Sequence, residues 1–160
     1  MENDADRVAG YLARTVALAV RNVGAEGGPF GAIVVAPDGR IFEGSNRVTA
    51  NNDPTAHAEV VAIRHACSEL GTFNLAGCSL YSSCEPCPLC LSAALWSRLD
   101  HVYFAADRHD AARAGFDDAD FYDYIQGRGD LNLMPVEQIV VPTSQEPFRS
   151  WEQLDAKTEY

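Results

Sequence analysis

The chain has 160 residues, 47% of them apolar, with 12 basic against 23 acidic side chains and a formal net charge of −11. That size and apolar content fit one globular domain with a buried core, expected to run over residues 1–160. The charge argues against partners held by clustered cations, so neither nucleic acid nor a membrane surface is expected. No apolar run is long enough to cross a bilayer.

The opening "MENDADRVAG" is acidic and lacks the apolar centre of a secretory leader, so a cytoplasmic location is expected. There thiols stay reduced, and the five cysteines read as core residues, ligands or redox groups rather than disulfides. Val8, Leu12, Val16, Val20 and Val23 recur at helical spacing and predict a helix over 4–23. "GAEGGPFGA" breaks it, and Gly28 and Gly31 read there as turn glycines. "AIVV" and "IFEGSN" flank the turn "APDG" and predict a β-hairpin. A second helix is predicted over 57–70, stopped by Gly71. The strand "SLYS" follows, then a third helix over 88–97 with Pro88 in its first turn. The strand "HVYFAA", a helix over 119–126 and the strand "QIVV" come next. A last helix is predicted over 144–158, with Phe148, Trp151 and Leu154 on one side. Strands alternating with helices after a hairpin predict a mixed sheet of about five strands between helical layers.

The chemistry concentrates in "TAHAEVVAIRHA" (55–66) and "CEPCPLC" (84–90). Cys87 and Cys90 are three apart at the start of a helix, so both sulfurs share one side, and the helix N-terminus favours thiolates. With His57 they would make a three-ligand zinc site whose fourth position is open to water. Glu59 follows His57 by two. In mid-helix that spacing would separate the side chains by about 200°. In a first turn both can reach past the helix end, which suits Glu59 as a general base that is not a ligand. Other readings compete: CxxC can be a redox pair, and "CEPCPLC" matches the opening of an iron–sulfur run. That run needs a fourth cysteine; position 94 is Ala94, and no cysteine follows Cys90. Cys67 and Cys78 read as core and Cys84 as a thiol beside the site. His65, His101 and His109 have no motif around them.

His57-Ala58-Glu59 followed by Pro86-Cys87-Pro88-Leu89-Cys90 is the H-x-E…P-C-x-x-C signature of zinc nucleobase deaminases. The sequence resembles the cytidine deaminase superfamily and, within it, the bacterial guanine deaminases. The likeness runs through "GGPFGAIVV", "NDPTAHAEV", "SCEPCPLC", "DAARAGFDD" and the closing "EY". It implies a cytidine-deaminase-like three-layer α/β/α sandwich whose five-stranded mixed sheet has its last two strands parallel. It implies one Zn2+, a small purine base as substrate, and a homodimer that exchanges C-terminal segments of about 144–160. It gives Glu59 the proton transfers, helped by Asp118, and brings Asn46, the backbone at Ala58 and the terminal Tyr160 to the purine. Phe30 and Trp96 are apolar enough to sandwich a ring, although each alone also suits a core. Guanosine, cytosine and triazine deaminases share the motif. A tRNA adenosine deaminase would want a basic face, and a non-catalytic zinc module would want a fourth ligand, for which Cys84 is available.

Overall fold

The run "GAIVV" is apolar at every position, as suits a strand covered on both sides. In the computed structural model, which describes residues 4–160, it forms β1 (Gly31–Val35), buried along nearly its whole length. β2 (Ile41–Ser45) pairs antiparallel with it across the Pro37–Gly39 turn, with Ala32 opposite Gly44. β3 (Ser79–Cys84) pairs antiparallel on the other side, and β4 (His101–Ala106) pairs parallel with β3. The sheet order is therefore β2-β1-β3-β4, a mixed sheet of four strands.

Seven helices accompany it among the described residues: α1 (Asp4–Val23), α2 (Val48–Asn51), α3 (Ala58–Leu70), α4 (Pro88–Trp96), α5 (Arg108–Arg113), α6 (Ala119–Ile125) and α7 (Glu146–Glu152). α1 packs on one face, where Ile33, Tyr81 and Leu18 form a core with Tyr11, Leu12 and Tyr103. α3 and α4 pack on the other, where Ala32, Val34, Phe42, Ile63, Leu80 and Ala94 meet. Alternate residues of β1 supply the two cores, the period-two consequence of a sheet sandwiched between helices. None of the helices among the described residues is long and apolar enough to cross a membrane.

The helix over 4–23 forms, and Val8 and Leu12 pack against the core, but the later valines that reveal it do not. Val16, Val20 and Val23 are exposed, while Thr15, Leu18, Ala19 and Asn22 are buried. Gly31 explains the rotation. A Cβ there would lie 2.6 Å from the Thr15 carbonyl oxygen and 2.7 Å from the Leu18 Cβ. Gly31 is thus a close-approach residue at the start of β1, not a turn glycine. The buried polar groups on this face are satisfied: Thr15 Oγ1 donates to Leu12 O, and Asn22 Nδ2 donates to the carbonyls of Gly28 and Asn46.

The predicted fifth strand does not form. "QIVV" has no ladder partner, and Val136 and Ile139 are 77% and 79% exposed. The last two strands of the sheet, β3 and β4, are parallel, but α6 does not lead back to a further one. β4 is left as an edge, and a strand segment without a neighbour gains no hydrogen bonds. The last helix is likewise shorter than the predicted 144–158, because its apolar side is uncovered: Phe148 and Leu154 are exposed, and short amphipathic helices depend on tertiary packing.

The β2–α3 contact is made at backbone distance. A Cβ on Gly44 would lie 2.2 Å from the Ala58 carbonyl and 2.4 Å from the Ala62 amide, both backbone atoms that cannot rotate away. Gly44→Ala should therefore lift the start of α3 off the sheet and cost about 1–3 kcal/mol, as overpacking does. A denaturant midpoint equal to the parent's would contradict this packing.

Candidate metal centre

Two helices begin at the same place. His57 is the N-cap of α3 and Cys87 the N-cap of α4; both have extended backbones, and neither side chain caps its own helix. Cys90 follows one turn into α4 and is fully buried. α4 leaves the carboxyl end of β3 on its way to the parallel β4, the end of an α/β sheet where ligands commonly bind. His57 Nδ1 lies 3.5 Å from Cys87 Sγ and 3.5 Å from Cys90 Sγ, and the two sulfurs are 3.6 Å apart. A tetrahedral zinc with ordinary bond lengths would set nitrogen and sulfur about 3.5 Å apart and two sulfurs about 3.8 Å apart. The triangle fits that ion closely. Among the described residues, these three form the one group of histidine, cysteine and carboxylate side chains arranged to hold a metal.

The electrostatics agree. The proton shared with Cys90, together with the imidazole, holds Cys87 down at about 4, while the same proton and burial push Cys90 up. The two sulfurs move oppositely because one proton serves both. The thiolate direction belongs to the site, since both face a helix N-terminus and an imidazole. The hydrogen bond with Cys87 raises His57 in the same way. A cation at this point displaces those protons, the usual coupling of metal binding to proton release.

Glu59 stands beside the triangle, only 6% exposed. Because His57 precedes the helix, the separation expected in mid-helix does not arise, and both residues line one cavity. Ser82 Oγ donates to Glu59 Oε1 at 3.1 Å, and burial raises the carboxyl well above its ordinary range. The cavity measures about 580 Å³ and also takes in Phe30, Asn46, Ala58 and Asp118. The Phe30 ring meets Phe116 edge-on, with centroids 5.0 Å apart. Asn46 Oδ1 accepts from the Gly28 and Val48 amides. Asp118 precedes α6, and burial and the negative Cys87 raise its carboxyl. Cys84 is outside the ligand triangle: its thiol donates to the Asp107 carbonyl, and burial pushes it up to about 11.

Trp96 and Tyr160 are elsewhere. They lie against each other with ring centroids 6.1 Å apart, 61% and 76% exposed, and do not line this chain's cavity. Sequence reasoning passed over Ser82, Phe116 and the Glu85–Arg108 pair. Arg108 donates to Glu85 from its backbone N–H and its guanidinium, which holds Glu85 below the usual carboxylate range. Only the E of "CEPC" hinted at it.

Residues 7–106 match the model of the cytidine and deoxycytidylate deaminase zinc-binding region. The chain belongs to that family. Zn2+ is its metal, and His57, Cys87 and Cys90 are positioned to bind it. Within this deaminase family, the guanine deaminase of Bacillus subtilis is 48% identical over 151 residues, covering 94% of this chain and 97% of that one. The X-ray structure of guanine deaminase from B. subtilis matches with a TM-score of 0.90 and 47% identity, covering 95% of this chain and 98% of its own. The guanine deaminase structure from Nitrosomonas europaea matches with a TM-score of 0.63 and 34% identity over 67% and 63% of the two chains. A tRNA-specific adenosine deaminase of Aquifex aeolicus is 46% identical over 78 residues, 49% of this chain and 52% of that one.

The ligand geometry makes a direct prediction. Cys87→Ala and Cys90→Ala should each lose stoichiometric zinc, whereas Cys84→Ala should keep one zinc per chain by elemental analysis. Zinc lost from the Cys84 variant would mean a four-ligand, closed site.

Proposed function

We propose that the protein converts guanine to xanthine and ammonia by zinc-dependent hydrolysis, with guanosine a poorer substrate. The observation that carries this is a buried Glu59 beside a three-ligand metal triangle, in a chain similar along nearly all its length to a guanine deaminase. The shorter match to a tRNA-specific enzyme covers about half of this chain, and a net charge of −11 does not suit an RNA partner.

His57, Cys87 and Cys90 hold the zinc, which when bound supplies Lewis acidity and lowers the pKa of water to about 7. Glu59 takes a proton from the attacking water as its oxygen bonds to guanine C2. It passes that proton to N3, so negative charge does not accumulate on the ring. A carboxyl raised by burial is suited to both holding and releasing a proton. Ser82 fixes one carboxylate oxygen, which leaves the other for the transfers. The C2–N bond then breaks. The second proton comes from the hydroxyl now on C2, which becomes the xanthine carbonyl; Glu59 carries it to the amine with Asp118 assisting, and ammonia leaves. Asn46, its oxygen engaged by two backbone amides, offers its NH2 to an acceptor on the purine edge. The Ala58 backbone meets the ring, and Phe30 covers one ring face.

The uncovered features point to a second copy of the chain. The segment 131–154 exposes Leu133, Val136, Ile139, Val140, Phe148 and Leu154. β4 offers an unpaired edge that "QIVV" from a partner could extend. Exchange of the segment about 144–160 in a homodimer, with the preceding 131–143 reaching across to the partner's β4, would cover both. It would also carry Tyr160 to the partner's cavity, and docking of the two bodies would set Trp96 of α4 beside it, narrowing that cavity against ribose and excluding water. Five free cysteines, two of them ligands, suit a reducing cytoplasm.

An ammonia-release assay on guanine, guanosine, cytosine and adenine tests the substrate. Guanine should be turned over fastest, and equal or better turnover of guanosine would move the assignment to a nucleoside enzyme. Glu59→Gln should keep zinc and fold yet lose turnover by about 10⁴-fold or more, the upper end for a general acid–base group, because it performs two transfers. Near-normal turnover would remove it from the mechanism. A chain lacking its last four residues should be nearly inactive but zinc-replete. Mixed with Glu59→Gln, it should regain activity, since one site of a swapped heterodimer holds both Glu59 and Tyr160. No rescue despite subunit exchange would contradict exchange of the arm.

A further inference from the structure

Arg108 begins α5 and joins two parts of the site that are remote in sequence. One is the loop between β3 and α4, which carries Glu85, Pro86 and Cys87. Arg108 holds its Glu85 with a backbone N–H at 3.0 Å from Oε2 and a guanidinium Nε–H at 3.1 Å from Oε1. The other is α6, which Asp118 precedes. The Arg108 guanidinium carbon lies 3.7 Å from the centroid of the buried Tyr122 ring. Tyr122 closes the circuit, because its Oη donates to the Pro86 carbonyl at 2.8 Å. Asp118 is bound into the same turn: its carbonyl accepts from the Phe121 amide at 3.0 Å and the Tyr122 amide at 3.3 Å. α5 itself is fixed by a reciprocal cap between Asp107 and Asp110.

An isolated exposed ion pair contributes little. This one differs in two respects. Several N–H groups converge on one carboxylate that is only 18% exposed, and the guanidinium carbon lies over a buried ring. Meeting the carboxylate from several side-chain N–H groups while lying over the ring requires a planar fork, which lysine lacks.

We propose that Arg108 is a positioning residue: by clamping Glu85 of the ligand loop to Tyr122 of α6, it sets where Asp118 stands relative to the metal centre. The inference rests on the role given to Asp118 in the preceding section. If Arg108 acts through Asp118, removing it matters only while Asp118 has work to do.

The test is a double-mutant cycle with Arg108→Gln, Asp118→Asn and the pair, assayed for guanine turnover with zinc content measured alongside. Arg108→Gln should lower kcat about tenfold with KM little changed, and the double variant should be no slower than Asp118→Asn alone. Zinc should stay at one per chain. Amide exchange should rise across α6 but not α1. Arg108→Lys should share these effects, and it serves if the glutamine variant fails to fold. If Asp118→Asn is slow but the two losses multiply, Arg108 does not act through Asp118 and only this inference falls. If Asp118→Asn is as active as the parent, the role of Asp118 falls with it. Unchanged α6 exchange in both Arg108 variants would also overturn the clamp.

Discussion

The structure depends on two helix N-termini meeting at one point beyond the carboxyl end of β3. His57 caps α3 and Cys87 caps α4, yet neither side chain satisfies its own helix; both turn toward a common centre with Cys90. Orphan N–H groups and the two macrodipoles make that centre favourable for thiolates, and the thiolates make it favourable for a cation. The small residues of the β2–α3 contact allow the convergence. Gly44 lets α3 lie on the sheet at backbone distance, and Ala58, Ala62 and Ala66 continue that contact inward.

Burial then separates the roles of neighbouring groups. Glu59 is two residues from a ligand but outside the triangle, enclosed and held by one hydroxyl. A carboxyl so placed is reluctant to stay charged, which suits it to the proton-carrying role proposed for it. Cys84, three residues before Cys87, is spent on a backbone carbonyl and stays a thiol. Asp118 approaches from a different helix, and the Glu85–Arg108–Tyr122 circuit ties that helix to the ligand loop.

Much of this was legible in the sequence. The hairpin, the helices at 4–23, 58–70, 88–96 and 119–125, and the ligand spacing all leave local signatures of period and turn chemistry. What was not legible is non-local. The rotated face of α1 follows from Gly31 meeting Thr15 and Leu18, a contact between segments far apart in sequence. α2 and α5 are too short to show periodicity. Arg108 pairs with a glutamate 23 positions away, and no spacing rule links them. The segment "QIVV" has strand-like residues but no ladder partner in its own chain, so composition alone could not decide its state.

The two-sulfur, one-imidazole triangle is the point on which the rest of the site turns. Zinc X-ray absorption spectroscopy of the purified protein tests it most directly. The account predicts about two sulfur neighbours at ~2.3 Å and two nitrogen or oxygen neighbours at ~2.0–2.1 Å, one of them imidazole. Three or more sulfurs would draw Cys84 into a closed structural site, and the catalytic reading would fail.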